Sequence, residues 1–197
     1  MPKEVTGAIV EGPTTIEYET CAVSKAHKII SRRTPTDKAT RPFFRIHVDL
    51  IQGIEAYNGH KYAIHFLNDL VRINKVKTFA QKSSTTQVII KYCNVVERRY
   101  GFKVVVIYID NELSLRGKFD NWTAEKGITV EYSAPSTPEQ NGPAERSRGV
   151  IIMKARCMRI EAQLLEELWP KAFKAAAYIT NRTPSRRLDW KTPFEKL

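Results

Sequence analysis

The sequence predicts an α/β fold on a mixed sheet. Two strand-like runs around 43–54 and 60–69 are separated by Asn58-Gly59, an unbroken apolar run spans Val104 to Ile109, and helical patterns alternate with strands from residue 85 onward. A strand meander followed by alternating helices and strands belongs to that class.

Residues 1–40 mix Gly, Pro, Thr, Lys and Arg without sustained periodicity and read as an irregular basic arm, which leaves 41–197 for the core. In the core, "FFRIHVDLIQGI" and "HKYAIHFLND" read as strands, and Asn58-Gly59 suits the positive φ angles of a tight hairpin turn. "RINKVKTFA" extends the pair into a meander. "TTQVIIKYCNVVERRYG" sets Val88, Ile89, Tyr92, Val95, Val96 and Arg99 at helical spacing and stops at Gly101. The run Val104–Ile109 is rich in β-branched side chains, as a strand covered on both faces is. A helix over "KFDNWTAEK", a short strand in "ITVEYS" and two helices at about 143–162 and 164–181 complete a five-stranded sheet flanked by helices. No internal repeat is visible.

At 197 residues and 42% hydrophobic, the chain has material for one main domain. Its 32 Lys+Arg against 21 Asp+Glu give a net charge of +11, which favours a polyanionic partner such as nucleic acid but fits a solvated basic face equally well. Cys21, Cys93 and Cys157 are odd in number and dispersed, which argues for a reducing compartment, nucleus or cytoplasm, over a disulfide framework. No run approaches the roughly 18 apolar residues of a membrane span, and "MPKEVTGAIVEGPTT" lacks a signal-peptide core, so neither insertion nor secretion is expected.

Three carboxylates stand out. Asp49 lies inside the first strand and Asp110 ends the apolar run, and a carboxylate so placed loses solvation and needs a nearby cation, which a metal ion can supply. Either alone is also explained as an Asp that ends a strand and opens a turn. Glu145 falls in the first turn of a helix, where Asn141-Gly142 can form the cap, Pro143 suits the first turn and the helix dipole favours negative charge. Helix stabilisation therefore accounts for Glu145, but not for the long loop before it, with Pro135, Pro138 and Gly142. At about 100° per residue, Arg148, Arg156 and Arg159 fall within about 60° of Glu145. Val150, Met153, Cys157 and Ile160 form another face, expected to pack on the sheet.

These residues carry a resemblance. "HVDL", "YIDNE" and "SAPSTPEQNGPAER" resemble the regions of the catalytic carboxylates in retroviral-type DDE integrases. From about residue 43 to 197 the chain is similar to the integrase core of copia-type LTR retrotransposons, including the closing segment "LWPKAFKAAAYITNRTPSRRLDWKTPFE". The QNGxxER context joined to Asn-Arg-Thr-Pro at 181–184 is the specific part of this match; an isolated D…D…E pattern is not.

The resemblance implies an RNase H-like fold in which Asp49, Asp110 and Glu145 are catalytic and bind two Mg²⁺ or Mn²⁺ ions. Hard oxygen ligands suit these ions, and two of them about 4 Å apart can stabilise the attacking and leaving oxygens of an in-line displacement at phosphorus. It further implies 3′-end processing of element DNA and strand transfer into target DNA. Gln140 and Asn141 would contact DNA; Arg148, Lys154, Arg156 and Arg159 would contact phosphates; and the protein would work as a homo-multimer on DNA.

Some features depart from the family pattern. "YETCAVSKAHK" matches the end of the zinc-binding domain that precedes such cores, but Tyr18 replaces one ligand and no His pair lies upstream, so no complete zinc site is expected and 1–40 reads as a remnant of that domain. Glu145 follows Asp110 by 35 positions, slightly less than the family interval, and "DNELSLRGKF" departs from DNGxEF. A fragment of a larger polyprotein, or a decayed copy, would show such features. The competing readings are another RNase H-like nuclease or transposase, and a catalytically inactive DNA-binding remnant. His47 and His65 are expected as packed core or surface residues rather than ligands, Asp69, Glu112 and Asp120 as loop or helix-surface residues, and Trp122, Trp169 and Trp190 as packing anchors.

Overall fold

The computed structural model describes residues 39–109, 113, 115–132 and 142–197. The expected arm at 1–40 lies outside them except for its last two residues, as does the loop carrying Gln140 and Asn141. Five strands, β1 (Arg45–Gln52), β2 (Tyr62–Asn68), β3 (Asn74–Phe79), β4 (Val106–Ile109) and β5 (Thr129–Tyr132), form one sheet in the order β3-β2-β1-β4-β5. β1, β2 and β3 pair antiparallel as a meander, whereas β4 and β5 join parallel to β1 through helical crossovers, which makes the sheet mixed.

Helices α1 (Thr85–Tyr100) and α2 (Lys118–Lys126) cover one face, and α3 (Gly142–Glu161) and α4 (Trp169–Thr180) the other. Strand alternation divides β1 between them. Ile46 and Val48 enter a core with Ile64, Phe66, Ile107 and Ile109, closed by Ile89, Tyr92, Cys93 and Val96 of α1 and Phe119 of α2. On the opposite face Ala63 and Val76 meet Ile151 and Ala155 of α3 and Trp169, Ala172, Ala176 and Ala177 of α4. The small side chains let α4 come close to the sheet, and Trp169 anchors its start by donating its indole N–H to the Ile54 carbonyl at 3.0 Å.

The structure corrects four expectations. Asn58-Gly59 does not form a tight two-residue turn: it lies in a longer connection, 53–61, with positive φ at Gly59 alone. Gly53 N–H bonds to Lys61 C=O at 2.9 Å to close that connection. Val95 is 54% exposed, because the buried stripe of α1 runs through Thr85, Ile89, Tyr92, Cys93 and Val96. On α3 the sheet-facing residues are Ile151 and Ala155, whereas Val150, Met153, Cys157 and Ile160 face away and are exposed. Trp190 is 72% exposed and anchors nothing. By contrast, α1 does end at Gly101, whose φ of 71° is the left-handed cap that glycine supplies without strain.

Replacing buried Ile89 by Ala removes core contacts and should cost about 2–5 kcal/mol. Val95→Ala should change stability by no more than about 0.5 kcal/mol. Urea unfolding midpoints check both, and equal losses would contradict the observed stripe.

Candidate active site

β1 supplies the centre of the site. Its alternation places Arg45, His47 and Asp49 on the face beneath α3 and α4, and all three are buried. Across the β1–β2 ladder Asp49 lies opposite His65, and across β1–β4 His47 lies opposite Tyr108, their rings 5.2 Å apart. A polar strip thus runs along a face that elsewhere is apolar.

Asp49 is 3% exposed, on the middle strand of the sheet. Its charge is met from α3: Arg148 Nη1 lies 2.9 Å from Oδ2 and 3.0 Å from Oδ1. Glu145, in the first turn of α3 and half-buried, precedes Arg148 by three residues and so shares its side of the helix. Glu145 is thereby carried about one helical turn before the residue that pairs with Asp49. Asp110 lies outside the described residues, among which no three His, Cys, Asp or Glu side chains converge as a metal site.

The other expected phosphate contacts fall in different settings. Lys154 Nζ donates to Thr180 Oγ1 at 3.2 Å and ties α3 to α4, while Arg159 Nη1 donates to the Leu164 carbonyl at 3.1 Å beyond the helix end. Arg156 is exposed and borders a cleft of about 660 Å³ shared with Trp169 and Phe173. A basic group that the sequence does not reveal gathers around Arg72 and includes Arg146, the neighbour of Glu145 in the chain. Burial pulls Arg72 down to about 10, and the nearby positive charges of Arg187 and Arg146 push the same way. These residues come from the β2–β3 turn, the end of the chain and α3, so no local pattern could reveal them.

Asp69 Oδ1 lies 3.5 Å from His47 Nε2 and accepts from Arg72 at 3.4 Å; its interaction with His47 holds its carboxyl below the usual range against the effect of burial. Asp120 serves α2, accepting the Gly117 N–H at 3.0 Å as an N-terminal cap. Glu112 lies outside the described residues.

His65 is 1% exposed, and its Nε2 meets Asn74 Oδ1 at 2.8 Å. Asn74 Nδ2 donates to the Arg72 carbonyl, which fixes Oδ1 as an acceptor, so His65 is the Nε2–H donor. Burial lowers its pKa to about 4; Arg148 and His47 act in the same direction and the Asn74 bond opposes them. The unfolded imidazole titrates near 6.5, so its neutral burial contributes full stability above that pH. As pH falls from 6.5 to 4 the unfolded chain binds a proton that the folded one refuses, and on the order of 3 kcal/mol is lost. Urea midpoints between pH 7 and 4 should fall less steeply for His65→Gln than for the parent chain; parallel slopes would contradict the assignment.

No protein-family model matches the sequence. The chain is 31% identical over 187 residues to the retrovirus-related Pol polyprotein from transposon TNT 1-94 of Nicotiana tabacum, covering 93% of this chain. It is 28% identical over 178 residues to that from transposon RE1 of Arabidopsis thaliana, covering 90%. It spans only 14% and 12% of those polyproteins. Among solved structures, the simian T-cell lymphotropic virus intasome in complex with PP2A regulatory subunit B56 gamma aligns with a TM-score of 0.67 at 13% identity, over 91% of this chain and 62% of that one. The HTLV-2 integrase catalytic core domain in complex with magnesium aligns at 0.61 and 15% identity, over 81% of this chain and 99% of that one. The catalytic core of BIV integrase aligns at 0.56 and 15%, over 78% and 92%. The chain is a homologue of the retrovirus-related Pol polyproteins of copia-type transposons, and its mixed sheet with flanking helices is the RNase H-like fold of an integrase catalytic core.

Proposed function

We propose that residues 41–197 form the catalytic core of an integrase-type polynucleotidyl transferase, which processes the 3′ ends of element DNA and joins them to target DNA. The observation that carries this reading is the buried Asp49 at the centre of the sheet, paired with Arg148 about one helical turn beyond Glu145. Asp49, Glu145 and Asp110 would hold divalent cations, Mg²⁺ or Mn²⁺. The donor chemistry fits: a buried carboxylate already requires a positive partner, and carboxylate oxygens are the ligands these cations prefer. The solved HTLV-2 core contains magnesium, which supports the choice. When bound, two such ions would polarise the scissile phosphate and the attacking oxygen.

The chain's own residues would do the rest. In this structure Arg148 pairs with Asp49; were Asp49 to hold a cation instead, the Arg148 guanidinium would be available to a phosphate. Arg146 beside Glu145, with Arg72, Arg187 and exposed Arg156, would hold the DNA backbone, and Gln140 and Asn141 would contact DNA from the preceding loop. The net charge of +11 suits such a partner, and the intasome likeness supports a homo-multimer on DNA; a nuclear or cytoplasmic location would follow from the dispersed cysteines. The basic arm at 1–40 would be the remainder of a preceding zinc-binding domain.

The test is nicking and joining of a duplex oligonucleotide with Mg²⁺ or Mn²⁺ at low salt. Asp49→Asn and Glu145→Gln should each reduce product formation by about 100-fold or more, since metal-borne charge stabilisation amounts to several kcal/mol. DNA bound but neither cut nor joined by the parent chain would favour the DNA-binding remnant instead. A second prediction follows from the ion pair: Arg148→Gln should tighten Mn²⁺ binding in an EPR titration and weaken DNA binding in fluorescence anisotropy. Unchanged Mn²⁺ affinity would remove Arg148 from the metal's path.

A further inference from the structure

Asn74, at the start of edge strand β3, is 3% exposed, and each of its polar atoms is engaged. Its backbone N–H donates to Asn181 Oδ1 at 2.7 Å, and its carbonyl accepts from Asn181 Nδ2 at 2.8 Å. The Asn181 side chain therefore pairs with the open edge of β3 as one residue of an added strand would. Asn181 ends α4, and its own carbonyl accepts the Phe194 N–H at 3.0 Å. The Asn74 side chain faces the other way: Nδ2 donates to the Arg72 carbonyl at 2.8 Å, while Oδ1 accepts from His65 and, at 2.6 Å, from the hydroxyl of Ser147. Ser147 follows Glu145 by two positions on α3.

One amide thus links the edge of the sheet, the end of α4 and the first turns of α3. The apolar anchors of α3, Ile151 and Ala155, begin six residues beyond Glu145, about 9 Å along the helix axis. Between Glu145 and Ile151, the hydrogen bonds from α3 side chains to the sheet are those of Ser147 to Asn74 and Arg148 to Asp49, among the described residues. The second is given up if a cation takes Asp49.

We infer that Ser147 and Asn74, braced by Asn181, are positioning residues that hold the Glu145 turn in register with Asp49 when Arg148 lets go. This rests on the proposed metal-dependent strand transfer. A Glu145 displaced by about 1 Å would cost on the order of 100-fold in rate without weakening DNA binding. The hydroxyl is what matters, so threonine should serve where alanine does not.

The experiment compares the full chain with Ser147→Ala and Ser147→Thr in four measurements: single-turnover joining of pre-processed DNA ends, DNA affinity by anisotropy, Mn²⁺ affinity by EPR, and the urea unfolding midpoint. Ser147→Ala should join about 10- to 100-fold more slowly and bind Mn²⁺ several-fold more weakly, with DNA affinity and unfolding midpoint nearly unchanged. Ser147→Thr should recover both. Ser147→Ala at parental rate and Mn²⁺ affinity, or a loss that threonine does not repair, overturns the inference. If the parent chain binds Mn²⁺ but joins no DNA, the strand-transfer reading fails and the Mn²⁺ affinities alone decide the positioning role. A parent chain that does neither overturns both.

Discussion

Asp49 sits on the central strand with 3% exposure, and the free energy of keeping that carboxylate charged constrains everything around it. Taking an ionised carboxylate out of water costs several kcal/mol unless a cation and hydrogen bonds replace the lost hydration. The cation must come from above the sheet, since the neighbouring strands occupy both sides. α3 has that position, and Arg148 meets both oxygens of Asp49 from it. One electrostatic requirement thus ties α3 to the central strand, and Glu145 lies about one helical turn before the residue that makes the tie.

The two faces of the sheet divide the labour. Under α1 and α2 the packing is aromatic and aliphatic: Phe66 stacks on Tyr92 with centroids 3.9 Å apart, and Phe119 and Ile107 are fully buried. That face needs only volume and close contact. The face under α3 and α4 is built from Ala63, Ala155, Ala172 and Ala176 around polar Asp49, His65 and Asn74. Small side chains bring the helices near enough for Ser147 and Asn181 to reach the sheet with hydrogen bonds of 2.6–2.8 Å. In such a setting a buried polar group is costly without a partner, and the bonds that Asn74 makes to Ser147 and Asn181 restrict how the two helices can dock.

Positive charge is distributed unevenly around this frame. Arg72, Arg146 and Arg187 gather from distant parts of the chain, and crowding like charges on a folded surface is unfavourable without a counter-charge. On the other side of the β3 edge, burial lowers the Lys75 pKa, with Lys77, Arg99 and Lys174 adding to the effect. Lysines on an edge strand also discourage pairing with a second sheet, so that cluster has a sufficient structural reason of its own. Of the three arginines, Arg72 finds a counter-charge in Asp69 at 3.4 Å.

The class of fold, most of its elements and the identity of the expected ligands could be read along the chain. The helix Lys118–Lys126, the stop at Gly101 and the doubly buried run ending at Ile109 were legible because local periodicity, glycine conformation and β-branching are properties of neighbouring residues. Asp49 was legible because a charge inside an apolar strand is anomalous wherever the strand lies. Only the tertiary structure decided which way α3 faces: Ile151 and Ala155, not Val150 and Met153, meet the sheet, because helical spacing defines stripes but not which one another element covers. The same holds for Arg148, whose partner is 99 residues away in sequence, and for the Asn74–Asn181 clamp, which joins residues 107 apart. Those contacts depend on how the strands are ordered and the helices docked, and no local pattern in the chain encodes that.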